Sequence, residues 1–198
     1  MSKGALFVIS GPSGAGKGTV CAELLKRRSD LFLSISMATR APRNGEIDGV
    51  HYHFTSEENF KKLAENAQML EWANYNGNFY GTPKAPVDKA IAEGKSVILE
   101  IEAQGAFKVK ENMPEAVLVF ILPPSAEVLR SRLVGRGTET AEQIEKRIAA
   151  AHWELTQSPK YNYIVENDDL DECVGEVSKI IDSVIIMRDK AEKLLKEI

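Results

Sequence analysis

A glycine-rich segment near the start of the chain has the residue types and spacing of a phosphate-binding loop. Gly11, Gly16 and Lys17 fit the pattern G-x-x-x-x-G-K, in which glycines let backbone N–H groups wrap closely round a phosphate. A helix starting at the lysine adds its positive end, and the lysine reaches the outer phosphates. We therefore expect a nucleoside triphosphate to contact Gly11, Pro12, Ser13, Gly14, Ala15, Gly16, Lys17, Gly18 and Thr19.

The residue after the lysine departs from the usual pattern. Position 18 is glycine, where Ser or Thr normally offers a hydroxyl to Mg²⁺. Thr19 is one candidate substitute and water is the other, because Mg²⁺ readily keeps several waters. The sequence thus predicts Mg²⁺ bound with the triphosphate and leaves its direct protein ligand open.

The charge balance points to a small anion as ligand. Lys and Arg number 25 and Asp and Glu 29, which gives a net charge of −4. Such a chain is a poor general binder of nucleic acid, because that binding relies on a broad basic surface. Five arginines nevertheless fall in two groups that suit focused anion sites: Arg40 and Arg43, then Arg132, Arg136 and Arg147.

Apolar runs alternate with helix-like segments along most of the chain. A helix is predicted from 17 to about 28, and strands are predicted at 5–10, 31–36, 96–102, 116–122 and 163–166. Near-continuous apolar strands separated by helices indicate a parallel sheet covered on both faces. The expected fold class is α/β with three layers, in one domain spanning 1–198.

Two stretches interrupt this alternation. Residues 37–83 are polar and rich in turn signals, and they predict an inserted subdomain whose bounds we set at 37–90. Within it, Thr55 and Glu58 form a capping box that predicts a helix, and alternation over 69–75 predicts antiparallel strands. Residues 128–158 read as helices with a break at 135–137, which suits a mobile lid.

The remainder of the chain predicts structure more than chemistry. From Asp171 one long amphipathic helix is expected, with a buried stripe of Val174, Val177, Ile180, Ile181, Val184 and Ile185. Cys21 and Cys173 are far apart and read as buried thiols, which fits a reducing cytoplasm. No apolar run approaches the roughly 20 residues that cross a bilayer.

Segments spread over nearly the whole chain resemble guanylate kinase. They are SISMATRAPR from Ser34, GEIDGVHY from Gly45, LEWA from Leu70, NFYGT from Asn78, LEIEAQG from Leu99, RLVGRG from Arg132 and ENDD from Glu166. The resemblance implies the P-loop NTPase fold, with 37–90 as the GMP-binding insertion and 128–158 as the lid. It also implies transfer of phosphate from Mg·ATP to GMP.

The same resemblance assigns the acceptor residues. Arg40, Arg43, Tyr52 and Tyr80 are expected to hold the GMP phosphate, because guanidinium forks and phenols are directional donors to a compact dianion. The resemblance makes Ser36, Glu71, Thr82 and Glu102 the guanine readers. Many family members have Asp where this chain has Glu102.

On the donor side, the resemblance places Arg132 and Arg136 on the lid and Arg147 on the helix after it, all catalytic together with Lys17. Asn167 and Asp168 are expected to line the adenosine side. No general base is needed, since the acceptor phosphate is itself a nucleophile.

Two alternatives stay open. One is a nucleotide kinase for AMP, UMP or dTMP, which Glu71 and Thr82 disfavour. The other is a guanylate-kinase-like module that binds peptides, which the retained Lys17 and arginines disfavour.

Overall fold

Two β-sheets organise the protein. The computed structural model describes residues 4–75, 77–134 and 141–197. Its strands are β1 (Leu6–Ser10), β2 (Leu31–Leu33), β3 (Met37–Ala38), β4 (His53–Phe54), β5 (Met69–Tyr75), β6 (Asn78–Pro83), β7 (Ser96–Glu100), β8 (Val117–Leu122) and β9 (Tyr163–Glu166).

The larger sheet is entirely parallel, with strand order β2-β7-β1-β8-β9. All five residues of β1 are buried, because helices cover both faces of this central strand. The carboxyl ends of β1, β7 and β9 meet at one edge of the sheet, which is where α/β proteins place their ligands. The predicted parallel core is confirmed.

Helices form the two outer layers: α1 (Lys17–Arg27), α2 (Glu57–Glu65), α3 (Lys84–Ala92), α4 (Ala103–Asn112), α5 (Ala126–Val134), α6 (Ala141–Gln157) and α7 (Leu170–Glu197), with a 3₁₀ turn at Ser158–Lys160. On one face of the sheet, α1 and α7 bury Leu24 and Val177 against Ile9. On the other face, α3 and α4 bury Val87 and Val109. This arrangement confirms the three-layer α/β prediction.

The smaller sheet lies within the predicted insertion, with strand order β4-β3-β6-β5. β5 and β6 pair antiparallel, as the alternation over 69–75 predicted. Helix α2 packs Phe60 between Met37 and Met69 to form a separate small core. The bounds 37–90 of the insertion stay a prediction, and α3, at its end, packs on the larger sheet.

Several predicted boundaries were wrong by a few residues. Helix α2 is capped by Ser56, whose Oγ accepts from the Asn59 backbone N–H at 3.2 Å, and not by Thr55. The third predicted strand ends at Glu100, because Glu102 already serves as the N-cap residue of α4. The second ends at Leu33, since the chain then turns away toward β3.

The long C-terminal helix was predicted nearly correctly. It begins at Leu170 and buries Val174, Val177 and Ile181, with the other predicted stripe residues partly buried beside them. Cys21 and Cys173 are free and buried, as expected. In the described ranges no helix is both long and apolar enough to cross a membrane. The predicted break at 135–137 lies outside those ranges.

Candidate active site

The phosphate loop, residues Gly11 to Lys17, connects β1 to α1 as predicted. Gly11, Gly14 and Gly16 have φ angles of 147°, 89° and 90°, which residues other than glycine rarely adopt. A Cβ on Gly11 would lie 2.3 Å from the Ile121 carbonyl oxygen. The glycines are therefore required by both backbone conformation and space.

Lys17 is half-buried at the first position of α1 and its ammonium folds back over the loop. Nζ donates to the Gly11 carbonyl at 2.6 Å and to the Pro12 carbonyl at 3.2 Å. These neutral partners hold a cation beside the space that the loop encloses.

Asn167 and Asp168 follow β9 and adjoin the phosphate loop, so the structure brings together residues about 150 positions apart. Asn167 is buried, and its amide nitrogen donates to the Ala15 carbonyl at 2.7 Å. A cleft of about 600 Å³ opens here, lined by Ser13, Gly14, Gly16, Lys17, Gly18, Thr19, Glu100, Arg132, Asn167, Asp168 and Leu170. Its size suits a nucleotide.

Oxygen donors at this cleft fit a magnesium ion. The Glu100 carboxylate lies beside Gly18, where an added Cβ would be 3.4 Å from Oε1, and Thr19 lines the same cleft. Desolvation raises the pKa of Glu100, and the charge of Lys17 opposes this. Among the described residues no three His, Cys, Asp or Glu side chains cluster as a metal cage. The donor set therefore suits an ion that keeps much of its water.

The predicted lid arginines differ in position. Arg132 lines the cleft from α5. Arg147 reaches back from α6, donating to Ser13 Oγ at 2.8 Å and to the Leu133 carbonyl at 3.4 Å. Arg136 lies outside the described residues.

Glu154 is a site residue that sequence reasoning missed. It is buried on α6, and burial raises the pKa of its carboxyl to about 7, while Lys17 opposes and Glu102 adds to the rise. A hydrogen bond from the Ser13 backbone also lowers the pKa of Glu154. The sequence did contain a signal for its burial, because the helical period places Glu154 on the same face of α6 as the buried Ala151.

A second group of predicted residues gathers on the smaller sheet, around Arg40. The Arg40 guanidinium makes a two-pronged pair with Glu46, at 2.5 and 2.7 Å, and lies 5.1 Å from the Tyr52 ring centre. The rings of Tyr52 and Tyr80 meet edge to face at 6.0 Å. Arg43 has an exposed side chain, and its backbone N–H donates to Glu46 at 2.7 Å.

Glu46 is a residue of the acceptor half-site for which the sequence predicted no role. Its pairing with Arg40, and secondly the Arg43 N–H, lowers the pKa of Glu46 to about 2, and the pair raises the pKa of Arg40. Both groups therefore remain charged over the whole working range of pH. Burial raises the pKa of Tyr52, so its hydroxyl stays a proton donor.

The predicted base readers lie where β5 and β6 pair. Glu71 and Thr82 are both buried, and the Thr82 hydroxyl donates to Glu71 Oε1 at 2.8 Å. Burial raises the pKa of Glu71, while Thr82 and then Lys108 oppose it. Glu102 is exposed at the N-cap of α4, and Ser36 is half-buried just before β3.

The described residues thus form two half-sites. None of the eight predicted acceptor residues lines the cleft at the phosphate loop. One half presents a cationic, amide-lined cradle, and the other presents an arginine with two phenols and a buried carboxylate with a hydroxyl. The arrangement can hold two phosphorylated ligands if the halves approach each other.

Both half-sites lie within residues 3–184, the region that matches the sequence model of the guanylate kinase family. The chain belongs to that family. Guanylate kinases of Halalkalibacterium halodurans and Caldanaerobacter subterraneus are 50% and 55% identical to it, over 95% and 90% of this chain and 92% and 87% of theirs. A crystal structure of guanylate kinase from Anaplasma phagocytophilum has TM-score 0.74 and 34% identity, covering 92% of this chain and 86% of that one.

Membership of the guanylate kinase family confirms the P-loop NTPase fold. It also makes the chain an enzyme, a nucleoside monophosphate kinase that works with a triphosphate and a divalent metal. The peptide-binding alternative is therefore not supported. The roles given to single site residues stay predictions, which the geometry makes specific.

Proposed function

We propose that the chain transfers the γ-phosphate of Mg·ATP to the phosphate of GMP, giving ADP and GDP. The observation that carries this proposal is the buried pair of Glu71 and Thr82, 2.8 Å apart, in a chain with an intact phosphate loop. Guanine offers N1–H and N2–H₂ donors and an O6 acceptor. A carboxylate accepts from those donors. Thr82 donates its one proton to Glu71 in this structure, so its hydroxyl would have to turn from Glu71 in order to donate to O6, as the Ser36 hydroxyl can.

The same pair supports rejection of adenine. Adenine would turn the N1 acceptor toward the Glu71 carboxylate, leaving two buried acceptors facing each other without a proton. Sites built on such hydrogen bonds discriminate by about 10⁴-fold or more. Glu102 and Ser36 complete the proposed set of readers, with Glu102 at the start of α4.

The acceptor phosphate is assigned to Arg40, Arg43, Tyr52 and Tyr80. Arg40 would bring its guanidinium charge to the phosphate from beside the Tyr52 ring. Glu46 accepts from Nη1 and Nη2 of that guanidinium and holds it in place. The assigned residues address the phosphate and the base edge, and none addresses the 2′-hydroxyl, so we propose dGMP as a second acceptor.

Transfer requires the two phosphates in line and their charge neutralised. Lys17, with Arg132, Arg136 and Arg147, is proposed to supply cations on the donor side. Glu100 and Thr19 would hold Mg²⁺, largely through water, and the bound ion would neutralise charge on the ATP phosphates. Asn167 and Asp168 are assigned to the adenosine side. We place the reaction in the cytoplasm, which suits the free thiols.

The proposal is tested by measuring ADP formation with ATP and each of GMP, dGMP, AMP, UMP and dTMP. GMP should be the preferred acceptor. Glu71→Ala should lower kcat/KM for GMP by at least about 100-fold. Glu57→Ala, which removes an exposed carboxylate paired with Lys61 on the same subdomain, is the matched control and should change little. Preference for AMP, or a normal Glu71→Ala enzyme, would refute the assignment.

A further inference from the structure

The outer edge of β5 is closed by side chains of helix α4. β5 is an edge strand of the smaller sheet, so the carbonyls on its outer side have no strand partner. Lys108 Nζ donates to the Trp72 carbonyl at 2.7 Å, and Asn112 Nδ2 donates to the Leu70 carbonyl at 2.7 Å. The two donors are four residues apart and so lie on one face of α4.

These two carbonyls flank Glu71. Their hydrogen bonds to α4 show that the Leu70 and Trp72 carbonyls both point outward, while Glu71 between them is paired with Thr82 of β6. The helix also meets the Glu71 side chain directly, since a Cβ on Gly105 would lie 3.1 Å from Oε2. Helix α4 thus contacts Glu71 and both of its neighbours.

Helix α4 has a second connection to the acceptor site, since its N-cap residue is Glu102. Helix α4 therefore begins next to one proposed base reader, Glu102, and is hydrogen-bonded to β5, the strand that carries the other, Glu71. The helix and its two bonds to β5 therefore connect the residues that carry the two carboxylates. No other helix is as closely packed against β5 in the described part of the chain.

We propose that Lys108 and Asn112 are positioning residues for guanine selectivity, which hold Glu71 at a fixed position relative to Glu102. The proposal rests on the proposed function, because it needs GMP as acceptor. Neither side chain touches the base. Each acts through the backbone of β5, and loss of either bond lets the strand shift relative to α4. A guanine edge read by two carboxylates tolerates such a shift poorly, because both must meet its donors at once.

Lys108 also acts through its charge. It lowers the pKa of Glu71 against the effect of burial, and its ammonium lies 5.8 Å from the Trp72 ring centre. The other charged groups on this side are Glu102 at the helix start, and Lys84 and Glu111, which line the cleft beside β5. Asn112 is neutral, so the two positions differ in their expected response to pH.

The experiment compares Lys108→Met, Asn112→Ala and the control Lys110→Met in steady-state assays with GMP and with IMP, which lacks the 2-amino group. Lys110 is a fair control because its Nζ also donates to a backbone carbonyl, that of Ala116, at 2.6 Å. Each test variant should raise KM for GMP about tenfold and reduce the preference for GMP over IMP. KM for ATP and kcat at saturating GMP should stay within about twofold.

Two further readouts separate positioning from general support. In Lys108→Met the rise of KM for GMP on acidification should begin at higher pH than in the wild type, and in Asn112→Ala it should not move. Lys108→Arg, which keeps a charged donor, should recover most of the affinity for GMP. An unchanged ratio of GMP to IMP, or equal losses for ATP and GMP, would overturn the inference. A wild-type enzyme inactive with GMP would instead refute the proposed function itself.

Discussion

At the residue scale, the ammonium of Lys17 is the most directly placed group of the donor half-site. In this structure it donates to two loop carbonyls, which are weaker partners for a cation than phosphate oxygens. Lys17 forms no ion pair with the residues that the structure describes, so a bound triphosphate would draw it outward at the cost of these two bonds alone. The cation is held ready close to where charge develops during transfer.

Lys17→Met tests this role. The methionine keeps the apolar stem but cannot neutralise phosphate charge, so kcat should fall by about 100-fold or more. The melting temperature should change by only a few degrees, because the two lost bonds are partly exposed. Near-normal turnover in this variant would exclude Lys17 from the mechanism.

Glu154→Gln tests the buried carboxyl on α6. The pKa of Glu154 is about 7 in the folded protein against an ordinary value of 4.5. The folded state therefore holds an extra proton between these values, and the free energy of unfolding falls as pH rises through this window. Between pH 5 and pH 8 the free energy of unfolding of the wild type should fall by about 1–3 kcal/mol through this group, and in Glu154→Gln that fall should be absent.

Urea unfolding at the two pH values measures this difference. Glu142→Gln, at an exposed carboxylate on the same helix paired with Lys146, is the control and should keep the wild-type pH dependence. If Glu154→Gln also kept it, the carboxyl would not be titrating in that range.

Residue types predicted one part of the site better than the other. The phosphate loop is a local motif, so its glycines and Lys17 could be placed from spacing alone. Glu71 and Thr82 came from the resemblance, and the structure joins them. Glu46 and Glu154 were missed because a single carboxylate in a loop or helix reads as surface until its neighbours in space are known.

At the element scale, the phosphate loop is braced by the end of a distant strand. Asn167 follows β9 and binds the Ala15 carbonyl, and a Cβ on Gly16 would lie 2.4 Å from its amide nitrogen. A side chain at position 16 would therefore collide with Asn167. The brace links the loop's conformation to the packing of β9 against β8.

Asn167→Ala should weaken both the fold and the loop. It leaves a buried carbonyl unpaired, which costs about 1–3 kcal/mol in the free energy of unfolding, and KM for ATP should rise about tenfold. Asp169→Ala is the comparison, because the Asp169 carboxylate accepts from the Glu172 N–H at the start of α7. It should cost about 1 kcal/mol and leave KM for ATP unchanged. Lost ATP affinity without lost stability in Asn167→Ala would contradict the brace.

Elements with a strong hydrophobic pattern were predicted well and their ends less well. The strands of the parallel sheet and helix α7 follow runs of apolar residues, so the sequence located them within a few residues. The ends of helices depend on capping contacts, and at the start of α2 the adjacent hydroxyls of Thr55 and Ser56 could both serve as the cap. Thr55 instead accepts from the Asn59 side chain at 2.8 Å, which leaves the cap to Ser56.

At the scale of the whole molecule, the two half-sites must approach for transfer to occur. The donor cleft and the acceptor residues lie on different parts of the chain, and the donor cleft is open to water. An open site would favour hydrolysis of ATP, so closure excludes water as well as aligning phosphates. The insertion and the lid are the parts expected to move.

Small-angle scattering tests closure. The radius of gyration, about 16 Å for a compact chain of this length, should fall when ATP without metal and GMP are both present, and less with either alone. The reason is that either nucleotide alone occupies only one of the two half-sites, and closure brings both together. No compaction with both nucleotides bound would count against closure.

Transfer of label from [γ-³²P]ATP tests the central claim most directly. Purified protein is mixed with labelled Mg·ATP and equal amounts of GMP and AMP, and the products are separated. We predict that the label appears in the β-phosphate of GDP in proportion to the ADP formed, with little in inorganic phosphate. Label found only in inorganic phosphate, or transferred to AMP in preference to GMP, would contradict the account.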